Sequence, residues 1–246
     1  MRQLVHSELL KIRTVRASWW LALTLLLGVP VLIAANIVTV DDVPGRLNTS
    51  EGVRNVFSGA SPPVMLIVGI MLVAGEFRHG TSTATFLASP IRSRVLAAKL
   101  IAAGLVGALL AVPAAALALG VGLPWLDAKH VDLATHADDI ALALAGGLGA
   151  LVLYALVGVG LGALLRNQTV AITAALIWTF IVEGALTALA DEVGRWLPGA
   201  AAAAMTGGVP QGSDLLPMWA GALVFAGYGL AFAAGGARSI VRKDVG

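Results

Sequence analysis

Hydrophobic positions in this chain come in long unbroken runs, not in alternating patterns. Five stretches lack Asp, Glu, Lys and Arg altogether: Ala17–Val40, Asn55–Gly75, Leu100–Leu126, Ile140–Leu165 and Leu215–Ala237. A sixth, Asn167–Ala190, is interrupted only by Glu183. A helix needs about 20 apolar residues to cross the hydrocarbon core, and each run approaches or exceeds that length. Membrane barrels need strands that alternate apolar and polar residues, so continuous runs leave helices as the spanning element. The pattern predicts an all-α membrane protein, a single transmembrane domain over 1–246. Its six spans lie near 17–40, 57–75, 100–123, 140–165, 169–190 and 215–237. The first run is expected to be a retained span. It is far longer than the apolar core of a signal peptide, and the charged segment before it is also long.

The segments between the runs are equally patterned. Over residues 3–16, Val5, Leu9 and Ile12 recur at helical spacing among Arg2, Lys11, Arg13 and Arg16. This predicts an amphipathic helix on the membrane surface, leading into the first span through Trp19 and Trp20. Residues 41–54 read as a polar, irregular loop, with Pro62 and Pro63 near the start of span two. After span two, Gly80 suits a left-handed helix end, Thr81 or Ser82 a following N-cap, and Ser89-Pro90 a second helix start. A short helix carrying Phe86 and Leu87 is therefore expected between spans two and three. It reads either as a docking surface with a basic border or as a loop that only sets topology. Gly158, Gly160 and Gly162 in span four supply small-residue packing, and Pro113 predicts a kink in span three. Arg166-Asn167-Gln168 leaves room only for a tight hairpin between spans four and five. The segment 191–214 is apolar enough to suggest a short helix partly re-entering the membrane.

Composition agrees with a lipid solvent. The chain of 246 residues is 58% hydrophobic and 12% charged, against about 25% charged in soluble domains. The net charge of +2 is too small to indicate nucleic acid, and the absence of cysteine excludes disulfides and thiolate chemistry. The distribution of charge matters more. Lys and Arg concentrate in 1–16, 76–99, 166 and 238–246, while only Arg46, Arg54, Lys129 and Arg195 fall in the alternate loops. By the positive-inside rule both termini are cytoplasmic.

Catalytic signatures are missing. No lysine lies in a P-loop pattern, and neither a His-Glu-x-x-His nor a Gly-x-Ser-x-Gly sequence occurs. His130 and His136 read as solvated loop residues, so no metal site is expected. The chain is expected to be no enzyme and to bind no cofactor itself. Glu183 is the one ionisable residue inside a run. A carboxylate in lipid raises a functional hypothesis by default, either as part of a pathway or as a structural contact to a neighbouring helix.

The sequence Gly75-Glu76-Phe77-Arg78-His79-Gly80-Thr81, followed by Leu87-Ala88-Ser89-Pro90-Ile91-Arg92-Ser93-Arg94 and Lys99, resembles the permease subunits of type 2 ATP-binding cassette transporters. The opening Glu8-Leu9-Leu10-Lys11-Ile12-Arg13 is similar to the N-terminal helix of that family, and the expected topology matches along the whole chain. The resemblance implies a bacterial plasma-membrane exporter subunit, multi-pass and dimeric with an identical or sibling permease. Drug-like, lipid or other amphiphilic cargo would be powered by a separate ATPase that supplies ATP and Mg. It further implies docking and coupling roles for Glu76, Phe77, Arg78, Gly80, Thr81, Phe86 and Leu87. Lys11, Arg13, Arg16, Arg92, Arg94 and Lys99 would anchor to lipid headgroups. The rival expectations are a stand-alone carrier using Glu183, or a membrane assembly or sensor protein.

Overall fold

A computed structural model of the chain describes residues 1–41, 45–58, 64–78, 80, 91–207 and 215–242. Among these the secondary structure is helical, with no strand. We number the helices α1 (Arg2–Thr14), α2 (Arg16–Asp41), α3 (Ser50–Ser58), α4 (Val64–Arg78), α5 (Arg92–Ala128) and α6 (Ala137–Leu165). They are followed by α7 (Gln168–Leu189), α8 (Asp191–Gly194), α9 (Pro198–Thr206) and α10 (Met218–Arg242). Five of them, α2, α5, α6, α7 and α10, are long and apolar enough to cross a membrane. Their outward faces carry large apolar side chains such as Leu27, Val31, Leu109, Phe180 and Leu230, all exposed. Such a surface requires an apolar solvent or partner, as in a multi-pass membrane protein.

The second predicted span, 57–75, is described only in part. Residues 57 and 58 end α3, and α4 begins only at Val64. At 15 residues α4 is about 22 Å long, short of the roughly 30 Å hydrocarbon core. It is nonetheless largely enclosed, with Met65, Ile70, Val73 and Ala74 buried. The expected irregular loop over 41–54 is also partly helical. In α3, Val53, Val56 and Phe57 form an apolar stripe that is fully buried. The end of α3 is fixed from α2: the Asn36 side chain donates to the Asn55 carbonyl at 2.9 Å and the Val56 carbonyl at 3.3 Å. These carbonyls would otherwise lack a helical partner.

The bundle is organised around α6, which meets α4, α5, α9 and α10. Glycines allow this crowding. A Cβ on Gly158 would run into the Leu66 carbonyl, and one on Gly69 into the Ala155 carbonyl, so α4 and α6 cross with their backbones touching. On another face, Gly160 packs against the Phe232 backbone of α10. The aromatic rings of Tyr154 and Phe225 reinforce that contact edge to face, 4.8 Å between centroids.

The α6–α7 connection is as tight as the sequence suggests. Arg166 takes a left-handed conformation with φ 53°, and Asn167 caps α7 by accepting from the Val170 N–H. Within α7, Trp178–Val182 forms a π-helical turn. The segment expected to re-enter contains α9, whose Ala201, Ala202, Ala204 and Met205 are buried. It lies close on α6, where a side chain at Gly146 would strike the Met205 carbonyl.

Candidate functional site

The residues singled out on either side of the 79–90 connection meet at one end of the bundle. Val5, Glu8, Leu9 and Ile12 share one face of α1, because positions three and four apart lie on the same side of a helix. That face turns onto the start of α5. A carboxylate in the middle of an apolar stripe needs a cation, and Glu8, 2% exposed, finds two. Lys99 Nζ lies 2.8 Å from Glu8 Oε2, and Lys11 Nζ 2.8 Å from Glu8 Oε1.

Glu76, near the end of α4, completes the cluster. Its Oε1 lies 2.5 Å from Lys11 Nζ and 2.8 Å from Lys99 Nζ. Lys99, 3% exposed, donates a further hydrogen bond to the Leu72 carbonyl at 3.1 Å. Two carboxylates and two ammonium groups thus join α1, α4 and α5 at a single point. Burial of the Lys11 stem disfavours its charge, but hydrogen bonds to Glu76 and Glu8, together with their charges, outweigh this. They hold the Lys11 pKa above the ordinary lysine range.

Lys99, expected at the headgroups, instead lies inside the protein. It is enclosed, and its donors face protein acceptors. The α4 helix ends at Arg78, and Gly80 adopts the expected left-handed conformation, φ 67°. Phe77 lies under the Arg166 guanidinium, 5.8 Å from ring centroid to Cζ. Arg166 in turn donates to the Ser239 carbonyl, which binds the ends of α6 and α10 together. Arg13, Arg16, Arg78 and Arg94 are exposed. Thr81, Phe86 and Leu87, with the side chain of Arg92, lie outside the described residues.

Beside the cluster, a cleft of about 580 Å³ opens between α1, α2, α4 and the start of α7. Lys11, Glu76, Arg78 and Gln168 stand at one end, and Leu21 and Val68 at the other.

Glu183 occupies a separate place, toward the opposite end. Its carboxylate accepts from the backbone N–H groups of Gly199 and Ala200, at the first turn of α9. These donors have no partner within their own helix, and a negative charge is favoured there. The structural alternative for Glu183 thus has a concrete form: it ties α7 to α9. Also at this end, Arg54 of α3 lies 2.8 Å from Asp139 of α6, whose other oxygen lies 3.3 Å from His136 Nδ1.

Sequence reasoning overlooked Glu8 as a site residue, although its position on the apolar stripe of α1 was a visible signal. The partners of Glu183 were hidden, because they are backbone groups. Comparisons with protein families, with curated proteins and with solved structures return no match for this chain.

Proposed function

We propose that the chain is the membrane-spanning permease subunit of a type 2 ATP-binding cassette transporter. It exports amphiphilic cargo and is driven by a separate ATPase subunit. One observation carries the reading. Residues that resemble the family pattern at three distant points of the sequence, Lys11 with Glu8, Glu76, and Lys99, converge on one ionic cluster. That cluster stands where the chain enters and leaves the 79–90 connection. A partner pressing on this connection acts at once on α1, α4 and α5.

In this reading α4 is a sixth, short span, and α1 lies along the cytoplasmic leaflet. The ATPase binds the connection through Phe86 and Leu87. A second permease chain completes the pathway, and nucleotide-driven closure of the ATPases moves the two bundles as rigid bodies. Glu183 holds α9 and carries no proton for transport. A stand-alone carrier, by contrast, needs an unengaged intramembrane acid.

The test is affinity purification of the tagged chain from native membranes in mild detergent, beside a variant with Phe86→Asp and Leu87→Asp. The proposal expects an ATP-hydrolysing partner with the intact chain and none with the variant. Absence of an ATPase from a folded intact chain overturns it.

A further inference from the structure

The cleft beside the ionic cluster has the chemistry of a lipid site. Its wall is apolar, formed by Ile12 and Leu21 on one side and Val68, Met71 and Leu72 on the other. From Val68 to Arg78 the α4 wall runs about 15 Å along the helix. Its volume of about 580 Å³ falls within the range of ligand pockets, roughly 300–1,000 Å³. Its charged groups are gathered at one end, where Lys11 pairs with Glu76 and Arg78 closes α4.

Among the described residues, that end is cationic after internal pairing. Glu8 and Glu76 are matched by Lys11 and Lys99, which leaves the charge of Arg78 over. Arg78 is exposed and has no ion pair among the described residues. Lys11 uses two donors on the carboxylates, and an ammonium has three. Its side chain is 41% exposed, so the third donor can face a ligand in the cleft. Trp19 and Trp20, exposed on the first turn of α2, mark the same level as a membrane interface.

We propose that this cleft binds one anionic phospholipid of the surrounding leaflet. The phosphate sits between Lys11 and Arg78, and one acyl chain lies along Leu72, Val68 and Leu21. The occupant is a lipid and not a soluble phosphate, because most of the cleft wall is apolar and opens beside spanning helices. The bound lipid wedges α1 and α2 against α4 and holds the ionic cluster out of water. This inference rests on the membrane reading of the helices and is independent of the ATPase.

The test is native mass spectrometry of the full chain released from nanodiscs of phosphatidylglycerol and phosphatidylcholine in equal amounts, without any ATPase. One retained phosphatidylglycerol per chain is expected. Arg78→Gln should lower the preference for phosphatidylglycerol about fivefold, the worth of one cation near an anionic lipid. Gly75→Leu fills the cleft from its floor. Among the described residues a Cβ there meets only the Gln168 side chain, at 4.0 Å, so the added side chain has room to enter the cleft. This variant should lose the retained lipid while keeping the thermal stability of a folded chain. Equal retention of both lipids by the intact chain overturns the proposal. So does undiminished phosphatidylglycerol in both variants, or displacement of the lipid by millimolar inorganic phosphate. None of these results bears on whether an ATPase co-purifies.

Discussion

The two ends of the bundle solve the same problem, an enclosed carboxylate, in different ways. At one end Glu8 and Glu76 are neutralised by Lys11 and Lys99, four flexible side chains drawn from three helices. Toward the other, Glu183 is held by backbone N–H groups of α9, which are fixed in position. A cap made by backbone donors is local and has one geometry. An ionic cluster is divisible: each ammonium serves two carboxylates, and moving one helix redistributes the pairs. Buried ion pairs contribute little net stability, yet breaking one leaves an uncompensated charge. The first end is therefore suited to transmit a displacement, and the second to resist one.

This contrast can be broken experimentally. The largest effect is expected from Lys99→Met, which leaves two carboxylates sharing Lys11. It should cost about 3–5 kcal/mol, seen as a lowered unfolding temperature in detergent and faster hydrogen exchange over residues 2–14. Adding Glu8→Leu should restore much of that loss, because the pair is then removed together. A coupling of about 0.5–3 kcal/mol in the double-mutant cycle is expected, and strict additivity would show that the cluster does not act as a unit.

A control for packing comes next. Gly69→Ala forces α4 from the α6 backbone and should cost about 1–3 kcal/mol, without selective exposure of α1. Glu183→Ala leaves the α9 donors unmet and should cost about 1 kcal/mol. Faster exchange should then be confined to residues 198–206. The smallest effect is expected at the exposed pair of Lys129 and Asp41, where Lys129→Ala should change stability by less than about 0.5 kcal/mol. A larger loss there would mean that surface charges matter more than enclosure.

Much of the fold was legible because lipid imposes a simple rule. The runs near 17–40, 100–123, 140–165, 169–190 and 215–237 coincide with α2, α5, α6, α7 and α10, since backbone groups in hydrocarbon must pair within their own helix. The glycines of α6 were also readable as packing positions. The second run is described only in part, as the end of α3 and as α4. What hydropathy does not show is the polar contact from Asn36 of α2, which donates to the Asn55 and Val56 carbonyls of α3. The spacing of Val53, Val56 and Phe57 did carry the signal of a buried stripe.

The site was legible only in part. Glu76, Gly80 and Lys99 stood out from their local pattern. A lysine opening a long apolar helix ordinarily extends toward headgroups, and that is what the sequence suggested for Lys99. Its engagement with Glu8, 91 positions away, depends on how α1 folds back, which no local pattern encodes. Glu183 appeared to lack a partner for a related reason, because any residue type supplies a backbone N–H.

The most direct measurement compares partner capture by Lys99→Met and Glu183→Gln, each checked for a single symmetric peak in gel filtration. The proposed reading predicts that the ATPase is lost with Lys99→Met, because α1, α4 and α5 are no longer joined by the ionic cluster, and kept with Glu183→Gln. Capture that survives Lys99→Met but fails with Glu183→Gln would contradict it.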